Sequence, residues 1–555
     1  MARKVPQSDD ETTEGGDNAT PKARPVRVRY ETPERGMGGK REISHASLGK
    51  LIARLTDAHQ YDTEFRDVFL LTFRCFCSPY DFIKKLLKRY TAVLSLCGGV
   101  DAEALEETQH VLDQITLEEE EGDQRSSTVT SISTARSDIN TSMEANVSIM
   151  RLLSVLKFWI KESGFIEQDL ANDRKAQKKL MAFLSEIKDS SPIPSIRRHA
   201  ENLLLTVVQI SRGVTTGSAE EAIKANDDGT STGRGFDAII QDTLQRARLT
   251  AASRKSARIS YDNVEPLSGL SAQELADQLS LMEADQYFSK LNPRELTNKA
   301  WTRENKHREA PHVMALIELF DATAEWVSSE ILHPHLQAVE RAKMITLFID
   351  AADNCYQMNN FNTLFEITTG LSAPCIRQLN TTWSLVSAAA QEKYQCLQQV
   401  CSPDDNYRSY RQAFALAEGQ PRLACWFILV KDLFTYEEAM KSTEDGLVNW
   451  QKFRKIHRVI SEALDRQNFN YVPVNSNGVG GVVGASGVGG PTSSAVGVSR
   501  KGRGILRHDR KTQIHIRHRI DTIRKDSSVL YQLARNANTQ ESILFVNSLS
   551  EAGFL

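Results

Sequence analysis

The residues that invite a chemical reading lie in one stretch, Pro421 to Thr443 (PRLACWFILVKDLFTYEEAMKST). It holds the longest purely apolar run of the chain, Leu423 to Val430, and it ends in two carboxylates, Glu437 and Glu438. At helical spacing Trp426, Leu429, Val430, Leu433 and Phe434 recur on one stripe, with Lys431, Asp432 and Thr435 between them. Phe434 and Glu438 are four residues apart, so a continuous helix puts them on one face, a bulky ring one turn before an acid. Two readings compete here: a buried helix with a solvated acidic end, or a ring and an acid presented together.

Motifs for covalent chemistry are missing from the sequence. The glycine-rich stretches lack the Gly-Lys-Ser/Thr ending of a phosphate-cradling loop, and there is no His-Glu-x-x-His, Gly-x-Ser-x-Gly or kinase signature. Cys75 and Cys77 stand one residue apart with no second pair, a poor zinc site, so neither metal nor cofactor is expected. The Arg500 to Arg524 segment is rich in Arg, Lys and His but has few interleaved aromatics, which favours a solvated or internally paired face over a nucleic-acid groove.

Composition narrows the class further. A chain of 555 residues exceeds one hydrophobic core and implies two to four domains. A formal net charge of -3 sets up no global field for nucleic acid or membrane. No apolar run approaches the roughly 20 residues that span a bilayer. The polar N-terminus lacks the apolar core of a signal peptide, and the last residues offer no lipid-accepting cysteine. Scattered, reduced thiols and a cytoplasmic location are expected.

The elements that must position the stretch read as helices. Residues 1–40 are expected to be a disordered tail. Helical character begins at Ser47, with Leu48, Leu51, Ile52 and Leu55 on one stripe, and Asp67 to Tyr90 forms two more helices broken at Ser78-Pro79. Residues 101–145, with the acidic run Glu118 to Glu121 and a Ser/Thr-rich segment, read as a flexible insertion and a phosphorylation target. The helical period resumes at Val147 and runs to about Ile210. Residues 211–261 read as a linker with a short helix near Phe236 to Leu249. From Leu267 to Leu464 nearly every segment is helical in pattern, including a stripe of Leu447, Trp450, Phe453, Ile456, Ile460 and Leu464. A Gly/Ser/Val spacer at about 475–503 reads as an insertion, because a helical pattern returns at Gln513 to Leu533.

Several blocks together resemble a known family. ELADQLSLMEADQYFSKLNPRELTNKAWTRENKHREAPHVMALIE (274–318), NNFNTLFEITTGLSAPCIRQLNTTW (359–383), the apolar stretch above and IHIRHRI (514–520) resemble the catalytic domain of Ras guanine-nucleotide exchange factors. Upstream, SLGKLIARL, FRDVFLLTFRCFCSPYDFIKKLLKRY and SIMRLLSVLKFWIKESG resemble the Ras exchanger motif that accompanies that domain. The resemblance implies an all-α fold: an exchanger-motif domain at 41–210 and a catalytic domain at 262–540 with a protruding helical hairpin, followed by a tail at 541–555. It implies a Ras-family GTPase as partner, bound first with GDP and then without nucleotide. Nucleic acid is not expected, and the membrane would be reached only through the GTPase.

By the same resemblance the hairpin displaces switch I of the GTPase, with Phe434 near the metal position and Glu438 near the Ser/Thr that otherwise holds Mg²⁺. A bulky apolar group disfavours a hydrated divalent ion, and a carboxylate takes over the hydroxyl's hydrogen bond. Phe365, Thr368, Ser372, Tyr407, Lys431 and Thr435 are the implied GTPase contacts, while Asn362 and Glu366 are expected to cap and pack the central helix. The chain departs from the family at Ser372, at Ala424-Cys425-Trp426-Phe427 where a Pro-Phe-(Leu/Phe)-Gly pattern is usual, and at Ala439 in place of the hairpin glycine. The expected function is acceleration of GDP release without covalent chemistry. The alternatives are an adaptor that holds a GTPase without emptying it, and a helical scaffold that binds none.

Overall fold

The structure is a computed structural model that describes residues 28–30, 42–96, 137–170, 173–211, 265–469, 471 and 506–551. Of the expected linker at 211–261, positions 212–261 with the short helix lie outside the described residues, as do the Gly/Ser/Val spacer and positions 101–136 of the expected insertion, while Ser211 ends a helix. The longer helices are α1 (Leu48–Leu55), α2 (Thr63–Thr72), α3 (Pro79–Leu94), α4 (Ser137–Lys157), α5 (Arg174–Ser190), α6 (Pro194–Ser211), α7 (Ala272–Gln286) and α8 (Pro311–Ile331). They continue as α9 (Ala338–Gln357), α10 (Phe361–Leu371), α11 (Ala388–Val400), α12 (Asp404–Leu416), α13 (Trp426–Ala439), α14 (Trp450–Leu464), α15 (Arg510–Ile523) and α16 (Ser527–Glu551). The all-α expectation holds, with one small sheet beside the helices.

By contacts the chain forms two units. The smaller comprises Met1–Tyr61, Lys85–Leu152 and Thr443–Gln451. It contains an antiparallel sheet in the order β1-β2-β4-β3: β1 (Val28–Tyr30), β2 (Ile43–Ala46), β3 (Thr443–Glu444) and β4 (Leu447–Asn449). Glu444 pairs with Leu447 across Asp445-Gly446, both at positive φ (49° and 74°), the backbone that a two-residue hairpin loop of this hand requires. Three expectations change here. Val28–Tyr30, placed in a disordered tail, is a strand because Val28 registers against Ala46 and Arg29 pairs with Asp445 at 2.6 Å. Leu447 leaves the helical stripe assigned to it and becomes strand, and the helix starts at Trp450. The helix expected from Val147 begins at Ser137.

The larger unit comprises Asp62–Lys84, Leu153–Ser442 and Lys452–Leu555. Its centre is α10 packed on α8, α9 and α11. Gly370 permits the closest approach: a Cβ there would stand 2.6 Å from the Ala324 carbonyl oxygen and 2.8 Å from Val327 Cβ. Asn360 caps α10 by accepting the Thr363 N–H at 3.0 Å. Glu330, fully buried at the end of α8, is matched by Arg519 of α15 at 2.6 and 2.7 Å and by the Trp326 indole N–H at 2.8 Å. The segment from 541, expected as a tail, continues α16 to Glu551, and the Glu541 carboxylate pairs with Arg341 at 2.5 Å.

Candidate functional site

Helix α13 is hung at its start from the core. Its N-cap residue, Cys425, supplies no side-chain cap; instead Asn362 Oδ1 accepts the Trp426 N–H at 3.0 Å and the Tyr410 hydroxyl accepts the Cys425 N–H at 3.1 Å. The Asn362 amide also donates to Glu366 at 2.9 Å and to Glu283 at 3.3 Å. Asn362 therefore ties α10 to another helix, while the cap of α10 itself falls to Asn360. Glu283 and Glu366 are fully buried neighbours. Burial, then the neighbouring Glu283 charge, holds Glu366 well above the usual carboxylate range, and burial raises Glu283 too.

Along α13 the apolar stripe divides. Trp426, Ile428, Leu429 and Leu433 are buried, whereas Phe434 is 43% exposed and the Glu438 side chain 53%. The ring and the acid thus leave the core together, which sets aside the buried-helix reading for this pair. The two adjacent carboxylates have opposite fates. Glu437 turns inward, its side chain 7% exposed, and meets Lys452 Nζ at 2.6 Å and the Asn298 N–H at 3.0 Å. Lys452 also donates to Ser442 Oγ at 3.1 Å. Glu438 turns outward and pairs with Lys299, whose ammonium lies 5.7 Å from the centre of the Phe434 ring.

Asn298 and Lys299 both adopt left-handed backbone (φ 53° and 52°), which costs about 1–2 kcal/mol per non-glycine residue. Their neighbours hold them there. Glu295 accepts the His312 and Val313 N–H groups at 2.9 and 3.1 Å, and Arg303 donates to the Asn298 carbonyl at 2.8 Å while pairing with Glu309 at 2.8 Å.

A second left-handed turn lies beside the start of α13. Asp405, Asn406 and Tyr407 all have φ between 50° and 61°. Arg411 donates to the Asn406 carbonyl at 2.8 Å and forms a two-pronged pair with Asp432 of α13, both bonds at 2.7 Å. Lys431 donates to Asn406 Oδ1 at 2.9 Å with its ammonium 4.7 Å from the Tyr407 ring centre. The Tyr407 ring meets Phe427 edge-on at 6.0 Å and Phe365 at 6.2 Å. Between α8 and α13 opens an apolar groove of about 380 Å³, walled by Trp301, Ile317, Phe320, Phe427, Val430 and Phe434.

The expected contact residues fall into two sets. Phe434, Glu438, Lys431 and Thr435 are exposed on α13, and Tyr407 stands half-buried beside them. Phe365 and Thr368 are each only 5% exposed, and the half-buried Ser372 hydroxyl is bonded to the Tyr394 hydroxyl at 2.9 Å. Thr435 Oγ1 donates to the Lys431 carbonyl of its own helix at 2.8 Å. Lys452 and Lys299 escaped the sequence reading, and Glu437, read there as one of two closing carboxylates, was given no partner. The signal for Lys452 was a lone lysine between Trp450 and Phe453, inside an apolar stripe; nothing local marked Lys299. Among the described residues no group of three or more His, Cys, Asp or Glu could hold a metal, and burial raises the Cys75 and Cys77 thiols to about 12. Among those residues, too, no helix is long and apolar enough to cross a membrane.

The all-α framework thus offers a ring and an acid together from a helix anchored to the core. Comparison with known proteins supplies the family. The RasGEF domain matches residues 274–454 and the RasGEF N-terminal motif residues 42–187, and the chain belongs to this family of Ras guanine-nucleotide exchange factors. It is 27% identical over 323 residues to the rat Ras-specific guanine nucleotide-releasing factor 1, covering 58% of this chain and 23% of that protein. It is 32% identical over 205 residues to Ras guanine nucleotide exchange factor M of Dictyostelium discoideum, covering 36% of this chain and 22% of the relative. With factor J of the same organism it shares 24% identity over 437 residues, 78% of this chain and 45% of the relative. The chain thus spans less than half the length of each of these three relatives.

Proposed function

We propose that the chain is a guanine-nucleotide exchange factor that accelerates GDP release from a small GTPase of the Ras type by inserting the exposed face of α13. Such GTPases hold nucleotide through Mg²⁺ and a cradle of backbone N–H groups on the phosphates. An exchanger makes and breaks no covalent bond; it binds the nucleotide-free state more tightly than the loaded one, and linkage then loosens the nucleotide. Phe434 takes the space of the hydrated metal, and Glu438 accepts the hydroxyl that otherwise ligates it. Lys431 and Thr435, with the half-buried Tyr407 ring beside them, form the docking surface, with Phe365, Thr368 and Ser372 as its floor. The exchanger motif spans about 41–210 and the catalytic domain about 262–540. The protein works in the cytoplasm, recruited to the membrane through its GTPase.

One observation carries this reading: a bulky ring and a carboxylate one turn apart, both turned out of the core on a helix anchored at its two ends. The test is release of fluorescent GDP from a panel of Ras-, Rap- and Ral-type GTPases. Acceleration that disappears in Phe434→Ala and Glu438→Ala supports it; saturable binding with no acceleration makes the protein an adaptor.

A further inference from the structure

We propose that Lys299 is a positioning residue for nucleotide release, its ammonium clasping Phe434 and Glu438 into the face they present to the GTPase. The inference rests on the exchange-factor reading above. One cation touches both side chains: Lys299 Nζ pairs with the Glu438 carboxylate and lies 5.7 Å from the Phe434 ring centre. The residue before it repeats the pattern, since the Asn298 N–H donates to Glu437 Oε1 at 3.0 Å. Consecutive loop residues thus grip consecutive carboxylates of α13.

The loop is suited to the task because it is itself fixed. Glu295 pins its start to the first turn of α8, and Arg303 pins the Asn298 carbonyl. Lysine gains nothing from a left-handed backbone, which β-branched and long side chains adopt rarely, so the conformation is held for where it sends the side chain. An exposed Lys–Glu pair contributes little to fold stability. What it changes is the direction of two side chains that would otherwise sample several rotamers in solvent. A carboxylate has about four acceptor positions, so Glu438 keeps room for a donor from the partner while Lys299 holds it.

The experiment measures GDP release at saturating exchanger for wild type, Lys299→Met, Lys299→Arg, Glu438→Gln and the Lys299→Met/Glu438→Gln pair, with a melting curve for each. Lys299→Met keeps the stem and removes the charge; it is expected to slow release about 3- to 10-fold at an unchanged melting temperature. Lys299→Arg restores most of the rate, and the double variant is no slower than its slower parent. A Lys299→Met protein as fast as wild type overturns the proposal. So does a double variant slowed by the product of the two single effects, and so does a loss of rate that follows a loss of melting temperature. A wild-type protein that accelerates no GTPase of the panel is a different failure, which removes the exchange reading and this inference with it.

Discussion

Asn362 Oδ1 accepts the Trp426 N–H at 3.0 Å, so the first turn of the helix that carries the site hangs from a side chain in the first turn of the core helix. The same amide donates to two buried carboxyls, Glu283 and Glu366. One residue thus links a buried carboxyl pair to the placement of Phe434 two turns further on.

Replacing Asn362 by Ala strands the Trp426 N–H and removes a donor from both carboxyls. The expected loss is about 2–4 kcal/mol, since each buried group left without a partner costs roughly 1–3 kcal/mol. Urea denaturation checks it, and a loss below about 1 kcal/mol would mean that water replaces the amide.

The buried pair sets a pH dependence with a definite sign. Glu366 titrates well above its ordinary 4.5 in the folded protein. Its contribution is therefore present in full below pH 4.5 and is lost as pH rises through the folded value. Glu366→Gln, neutral at every pH, should gain stability over wild type as pH climbs, by at most about 1.4 kcal/mol per unit for one proton. Denaturation midpoints from pH 4.5 to 8 that run parallel for the two proteins would rule out a raised Glu366.

Gly370→Ala places a methyl 2.6 Å from the Ala324 carbonyl oxygen, which belongs to the backbone of α8 and yields little. Forcing the two helices apart should cost about 1–3 kcal/mol, read as a lowered melting temperature. An unchanged melting temperature would show that α8 and α10 separate freely.

Phe427 stands 47% exposed at the mouth of the apolar groove, edge-on to Tyr407. Phe427→Ala should change stability by less than about 1 kcal/mol, as for most surface positions. It should reorder the GTPase panel, because the resemblance puts a glycine where this ring narrows the docking face. Equal scaling of every GTPase would show that the ring plays no part in partner choice.

Much of the helical frame was legible because its signals are local. Ser78 Oγ accepts the Asp81 N–H at 3.1 Å just before the helix that begins at Pro79, the break that Ser78-Pro79 marked in the sequence. The ring and acid of α13 were legible as one face of a helix, but periodicity grouped Phe434 with the buried stripe, and only packing shows which members leave the core. The strand at Leu447–Asn449 was missed although Asp445-Gly446 announces a hairpin turn, because the apolar residues after it also fit a helical period. The inward turn of Glu437 and the grip of Lys299 depend on partners 15 and 139 residues away in the chain, a distance that no local pattern spans.

The central claim, that α13 empties a GTPase through Phe434 and Glu438, is tested most directly by stopped-flow release of fluorescent GDP from the preferred GTPase of the panel. Wild-type protein should accelerate release in a saturable way, and Phe434→Ala and Glu438→Ala should each lower the saturated rate by at least about tenfold while keeping the wild-type melting temperature. Variants that fold normally and release GDP as fast as wild type would contradict the account.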